Sequence, residues 1–241
     1  MPNITVPKRA MAIFAHPDDA EFTMAGTAAV WSAQGCEFTY VVCTRGESGS
    51  NDPQMTPWTL ARIREREQRA AAAILGVRHV VILPHPDGTL LPTLELRRDL
   101  TREIRRYRPE VVLCGDPSVR SYGDDYLNHP DHRASASAAL DAVFPSAETR
   151  YIFPELLAEG LEPHRVGAVF IHGSPEPNVW IDIEPVLELK IRALRAHASQ
   201  VAEREIGQWV IEMARQEGQG RGLRAAESYR CIVLHEDEMG A

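Results

Sequence analysis

Short, almost wholly apolar runs alternate along the first half of the chain with longer segments of helical periodicity, and few folds accommodate that alternation. The runs at 10–14, 38–43, 80–83 and 111–114 have strand length and lack the regular polar residues of a strand with one wet face. Such strands are covered on both sides, as in parallel sheets. Between them, residues 21–34 carry Met24, Ala28 and Trp31 at helical spacing and stop at Gly35. Residues 59–75 are rich in Ala, Arg and Glu and close at Gly76, and residues 94–107 form a basic amphipathic segment ahead of Pro109. The order predicts an α/β fold, a doubly wound, mostly parallel sheet with helices on both faces.

The later chain predicts a helix at 133–143, strands at 166–171, 179–183 and 229–234, a helical stretch at 185–216 and a flexible glycine loop at 218–222. No repeat or compositional boundary divides the 241 residues, so one domain, 1–241, is expected. The loop from Thr44 through Pro57 is longer than a connection requires, which marks it as functional or mobile.

The chemistry-bearing residues fall in two clusters. Ala15-His16-Pro17-Asp18-Asp19 stands where the first strand meets its helix, and His129-Pro130-Asp131-His132 opens the helix after the fourth strand. In an open α/β sheet, ligands bind at the carboxyl ends of strands. His16 and Asp19, three apart across a stiff turn, can reach one ion, and His132 supplies a third ligand from the same sheet edge. Two imidazoles and a carboxylate suit a catalytic zinc with a free position for water, with iron(II), cobalt and manganese as alternatives. Asp18, beside this set but outside it, is the candidate general base. His129 can stabilise an oxyanion or protonate a leaving amine, and Asp131 can orient either histidine. A lone Asp-Asp would read as a helix cap; two such clusters, each directly after a parallel strand, favour the metal.

The formal net charge of −8 argues against a nucleic-acid partner. The arginines concentrate on helices that also carry acids, the pattern of solvated faces. Four cysteines occur without a C-x-x-C pair, which predicts buried free thiols in a reducing, cytoplasmic setting, and no stretch has the length of a membrane span. Three readings remain open here. One is a metal-dependent hydrolase of a small N-acyl group; the second is a metal-dependent hydrolase of another amide or an ester. The third is a non-catalytic Rossmann-type ligand-binding module, which would need a phosphate cradle, yet no G-x-G-x-x-G follows the first strand.

The two clusters resemble the A-H-P-D-D and H-P-D-H motifs of the PIG-L superfamily, the LmbE-like proteins. Lesser matches lie at Thr44-Arg45-Gly46-Glu47-Ser48-Gly49, Arg64, Glu67, Leu75-Gly76-Val77, Asp87-Gly88, His197-Ala198-Ser199-Gln200 and Ala226-Glu227-Ser228-Tyr229-Arg230. One departure is Ala20 ahead of Glu21, where the usual pattern has the glutamate directly after the second aspartate. The resemblance implies a Rossmann-like fold, zinc on His16, Asp19 and His132, Asp18 as base and His129 at the oxyanion. It also implies hydrolysis of an N-acetyl group, usually on a glucosamine-type sugar, with Arg64 holding polar groups of the substrate. Glu47 and Asp87 are further substrate-side candidates, and assembly as a homo-oligomer, a trimer or hexamer, is expected by analogy. His197 either reaches the cleft, packs at a subunit interface, or is a buried hydrogen-bonded histidine, the commonest outcome of the three.

Overall fold

Strand β1 (Arg9–Phe14) turns Ala10, Ala12 and Phe14 to one face and Met11 and Ile13 to the other, and all five are buried. The same two-sided burial holds in β2 (Glu37–Thr44), with Phe38, Tyr40 and Val42 opposed to Val41 and Cys43. It recurs in β4 (Val111–Gly115), with Val111 and Leu113 opposed to Val112 and Cys114. This period-two division is why the strands read as nearly continuous apolar runs. The computed structural model describes residues 5–201 and 206–238.

The main sheet has seven strands in the order β3 (His79–His85), β2, β1, β4, β7 (Ala168–His172), β9 (Ala226–Val233), β8 (Val179–Asp182). Pairings from β3 through β7 are parallel, as expected. β9 runs antiparallel to both of its neighbours, so the far end of the sheet is mixed. On one face lie α2 (Ala25–Ala33), α3 (Pro57–Leu75) and α7 (Leu187–Arg195); on the other lie α4 (Leu94–Tyr107) and α5 (Pro130–Asp141). All four cysteines are free and buried. Among the described residues no helix is long and apolar enough to cross a membrane.

Several elements depart from expectation. The helix expected at 21–34 is two helices, α1 (Asp19–Thr23) and α2, broken at Met24. The second begins without a cap from its own preceding residue. Its first N–H groups, on Gly26 and Thr27, donate instead to Glu227 of β9 at 2.8 and 2.7 Å. That carboxylate also accepts from the Thr27 hydroxyl, Tyr229 and, at 2.6 Å, the buried Lys190 ammonium. Gly26 is required there, because a Cβ would stand 2.9 Å from Glu227 Oε1 and 2.5 Å from Ile183. A hairpin, β5 (Ser121–Tyr122) and β6 (Tyr126–Leu127), and a short helix, α6 (Glu155–Ala158), were not anticipated. The stretch expected as helix at 185–216 divides into α7 and α8 (Ile206–Gly218), with 202–205 outside the described residues. Gly218, placed in the glycine loop, is the buried last residue of α8.

His164 gives the fold a measurable acid sensitivity. It is 5% exposed, with Nε2 2.7 Å from the Pro109 carbonyl oxygen, and burial pulls its pKa down to about 4. The unfolded chain, with a histidine near 6.5, therefore binds more protons between those values. The stabilising contribution is complete above pH 6.5 and is lost as pH falls through 4, reaching about 2 kcal/mol at pH 5. Urea midpoints at pH 7 and pH 5 should show a smaller acid loss, by about that amount, in His164→Gln than in the parent protein.

Candidate metal centre and active site

The chain passes from β1 outward to β2 and β3, then returns to the other side of β1 as β4. The crevice between the carboxyl ends of β1 and β4 is thus the topological switch point, where such sheets bind ligands. His16 follows β1, and the segment His129 to His132 is the first turn of α5, which packs against β1 and β4. The topology alone brings the two sequence clusters to one place. A groove of about 540 Å³, lined mainly by apolar side chains including Val30, Trp31, Trp180 and Pro185, lies elsewhere, beside the edge strand β8.

Asp19 stands between the two histidines. His16 Nδ1 lies 3.5 Å from Asp19 Oδ2, and His132 Nε2 lies 3.1 Å from Asp19 Oδ1. The opposite nitrogen of each ring meets an acceptor: His16 Nε2 is 3.0 Å from Asp87 Oδ1 and 3.3 Å from Asp131 Oδ2. His132 Nδ1 is 3.2 Å from the side-chain oxygen of Asn128. Both inner nitrogens face Asp19, and the acceptors on the outer nitrogens would keep the ring protons there in the neutral rings that bind a metal. Donor atoms of His16, His129 and His132 also fall within 4.8 Å of one another, as do those of His16, Asp87 and Asp131. In the second group both carboxylates face the outer nitrogen of His16, which suits orientation of that ring rather than a separate ion. The donor set fits a divalent cation.

The electrostatics agree. Burial alone would depress the pKa of His16, yet the charge of Asp19 and hydrogen bonds to Asp131, Asp19 and Asp87 raise it to about 12. Burial likewise opposes charge on Asp19, but His132 and His16 hold its carboxyl well below the usual range. The pocket is built for positive charge at its centre.

Asp18 sits at the N-terminus of α1 with φ 97° and ψ −26°, in the left-handed region. Burial first, and the neighbouring Asp19 charge second, push it up to about 7 against the pull of Arg64. Arg64 is 4% exposed. Its guanidinium donates to the Pro17 carbonyl, to Gly46 O at 3.0 Å and to Asp18 Oδ2 at 3.2 Å. The Thr44–Gly49 loop makes room for it: a Cβ on Gly46 or Gly49 would lie 2.5 Å from the guanidinium. Arg64, expected at the substrate, has its guanidinium engaged by Pro17, Asp18 and Gly46.

His129 caps α5, its Nδ1 accepting the Asp131 N–H at 3.2 Å, so its proton belongs on Nε2. Burial and the His16 charge lower its pKa. It is the most open of the three histidines, with a ring centroid 4.9 Å from that of His16. Asp131, wholly buried, accepts from Gly88 and Leu90 N–H at 2.7 and 3.1 Å and so ties the β3–α4 loop to α5 and His16. Asp87, a substrate-side candidate, has a side chain that is 5% exposed and faces His16, while accepting from Ser48 N–H. Glu47 Oε1 accepts from the Asp87 N–H, and its other oxygen is buried without a partner. Sequence reasoning missed Asn128, whose signal was its position directly before the second motif. Gln68 was also missed, one helical turn beyond Arg64 on the same face of α3.

A family model described as PIG-L, GlcNAc-PI de-N-acetylase, matches residues 11–143. The diacetylchitobiose deacetylase of Thermococcus kodakarensis is 33% identical over 93% of this chain and 83% of its own length. A probable N-acetyl-alpha-D-glucosaminyl L-malate deacetylase of Bacillus anthracis is 30% identical over 81% of this chain and 82% of its own length. Among solved structures, the N,N'-diacetylchitobiose deacetylase of Pyrococcus horikoshii, complexed with its inhibitor MPG, superimposes with a TM-score of 0.87. Its identity is 30%, and the match covers 94% of this chain and 84% of that one.

Proposed function

The chain belongs to the PIG-L family, and from that premise we propose that it is a metal-dependent amidohydrolase removing an N-acetyl group from a small amino-sugar substrate. The observation that carries the reading is the convergence of His16 Nδ1 and His132 Nε2 on the Asp19 carboxylate. His16, Asp19 and His132 would hold the metal, zinc by preference, with iron(II) as the alternative. When bound, it supplies Lewis acidity and lowers the pKa of water.

The chain's own residues do the rest. Asp18 accepts the proton that the attacking water gives up as its oxygen bonds to the amide carbon. The Nε2–H of His129 donates to the oxygen that takes on negative charge. As the C–N bond breaks, its electron pair goes to nitrogen, and the proton held by Asp18 passes to the leaving amine; acetate and a free amine result. Asp131 and Asp87 fix the ring of His16 and Asn128 that of His132. Arg64 keeps the Asp18 carboxylate over the site, and the two loops that carry Glu47 and Asp87, joined by the Asp87 N–H to Glu47 Oε1 bond, form the wall the sugar would meet. The named substrates of the two curated relatives are N-acetylated sugars, which supports an N-acetylglucosamine-type substrate here.

Amine release should be measured on N,N'-diacetylchitobiose and N-acetylglucosaminyl malate, beside longer N-acyl analogues and esters. N-acetyl substrates turning over fastest is the expected result; ester turnover without amine release would sink the deacetylase reading. Chelation with EDTA should abolish release and lower the melting temperature by about 5–10 °C, since a ligand bound only by the native state stabilises it. Added zinc should restore both.

A further inference from the structure

Behind the site runs a buried chain of side chains that the mechanism above does not use. Gln68 Oε1 accepts the backbone N–H of Asp18 at 3.0 Å, and its amide donates to Glu21 at 3.1 and 3.2 Å. Glu21 Oε2 lies 3.1 Å from His197 Nε2. Gln68, Glu21 and His197 are all 0% exposed. A carboxylate can only accept, so His197 donates to it through Nε2, and His197 Nδ1 is left buried without a partner. The turn that carries His197 is itself pinned to α3, with Ser199 N–H and hydroxyl donating to Glu67 at 2.8 and 2.6 Å.

The chain ends on the residue with the least favourable backbone in the site. A non-glycine residue at φ 97° is costly and persists only where its surroundings determine it. Asp18 is held from two points one helical turn apart on α3: Arg64 grips the carboxylate and Gln68 grips the N–H. An N–H aimed elsewhere would rotate the peptide and swing the carboxylate away from the water it deprotonates.

We infer that Gln68, Glu21 and His197 form a positioning relay that fixes the left-handed backbone of Asp18 and so aims its carboxylate. The inference rests on Asp18 being the base. It also gives a role to His197-Ala198-Ser199-Gln200 and to the displaced glutamate, Glu21. None of the three is a catalytic residue; each acts through Asp18.

The test is a double-mutant cycle with Q68M and D18A on the zinc-loaded enzyme, reading kcat, KM and metal content. Q68M keeps the volume of the side chain and removes its hydrogen bonds. It should lower kcat by about 10- to 100-fold, the scale of a misplaced catalytic group. KM should stay within about twofold and metal content should not change, a split that general destabilisation would not produce. In the D18A background the same substitution should have no further effect on kcat. Parental kcat in Q68M, or an equal fall in both backgrounds, overturns the relay. Full kcat in D18A instead overturns the base assignment, whatever Q68M does.

Should Q68M not fold, Q68E and the swap E21Q/Q68E decide the matter. Q68E alone sets two carboxylates face to face. In the swap, the carboxylate placed at 68 accepts from Asp18 N–H and from the amide placed at 21, whose oxygen accepts from His197, so each link of the chain keeps one hydrogen bond. Recovery in the swap to within about threefold of the parent, from a Q68E loss of about tenfold or more, supports the relay. Parental activity in Q68E, or no recovery in the swap, refutes it.

Discussion

Asp18→Ala is expected to lower kcat by about 10²- to 10⁴-fold, the usual contribution of a positioned general base, while the protein keeps its metal. The carboxylate would not be needed by the ion, because the proposed ligands His16, Asp19 and His132 would hold it without Asp18. Removing it takes away an acid that is turned toward Arg64, whereas Asp19, Asp87 and Asp131 face histidines. The signature is therefore a collapse of turnover at about one equivalent of zinc per chain, measured by amine release and metal analysis on the same preparation. Alanine is also strained at φ 97°, which should cost roughly 1–2 kcal/mol. Asp18→Asn separates the two effects. Asparagine tolerates the left-handed region and can still accept from Arg64, so it should be nearly as stable as the parent and equally unable to take a proton. Undiminished turnover in either variant would remove Asp18 from the chemistry.

The largest effect on stability is expected at a buried ion pair outside the proposed ligand set. Glu227 is buried, caps the first turn of α2 and pairs with Lys190 at 2.6 Å. Glu227→Ala strands a buried ammonium whose remaining partner is the Phe22 carbonyl oxygen, and it leaves two backbone N–H groups without acceptors. Breaking a buried pair from one side typically costs about 3–5 kcal/mol, because the other charge stays in place. Glu227→Gln, which keeps one acceptor, should lose roughly half as much. Urea unfolding of both variants checks the order. A loss below about 1 kcal/mol in the alanine variant would put the pair with exposed salt bridges, which contribute little.

These contacts also explain which parts of the molecule were legible in the chain. The first four strands and the two His/Asp clusters announce themselves locally, because burial on both faces writes an apolar run and a turn into a helix writes its own punctuation. The break at Met24 could not be read that way: α2 takes its cap from a residue about two hundred positions away, on β9. The reversed direction of β9 was equally silent, since strand composition carries no polarity. Within the site, the facing histidines follow from motif spacing and strand order. The burial of Asp87 against His16 does not, because a loop carboxylate looks the same in sequence whether it meets water or a ring nitrogen. Gln68 is one polar residue on a helix full of them, and only the neighbouring turn distinguishes it from Glu65 or Arg66. Arg64 shows the same limit from the other side: its charge drew notice, but the partners that occupy it come from two separate loops.

Asn128 has a practical consequence for anyone redesigning this enzyme. Its side-chain oxygen meets His132, its amide donates to Val119 O at 2.8 Å, and its own N–H donates to Arg120 O at 2.9 Å. The 116–127 loop, the obvious place to graft new selectivity, is thereby fastened to His132, a proposed ligand of the ion. A transplanted loop that fails to reproduce the carbonyl oxygens at 119 and 120 is expected to loosen His132, and with it the proposed metal site, before a preference for a new sugar can be scored.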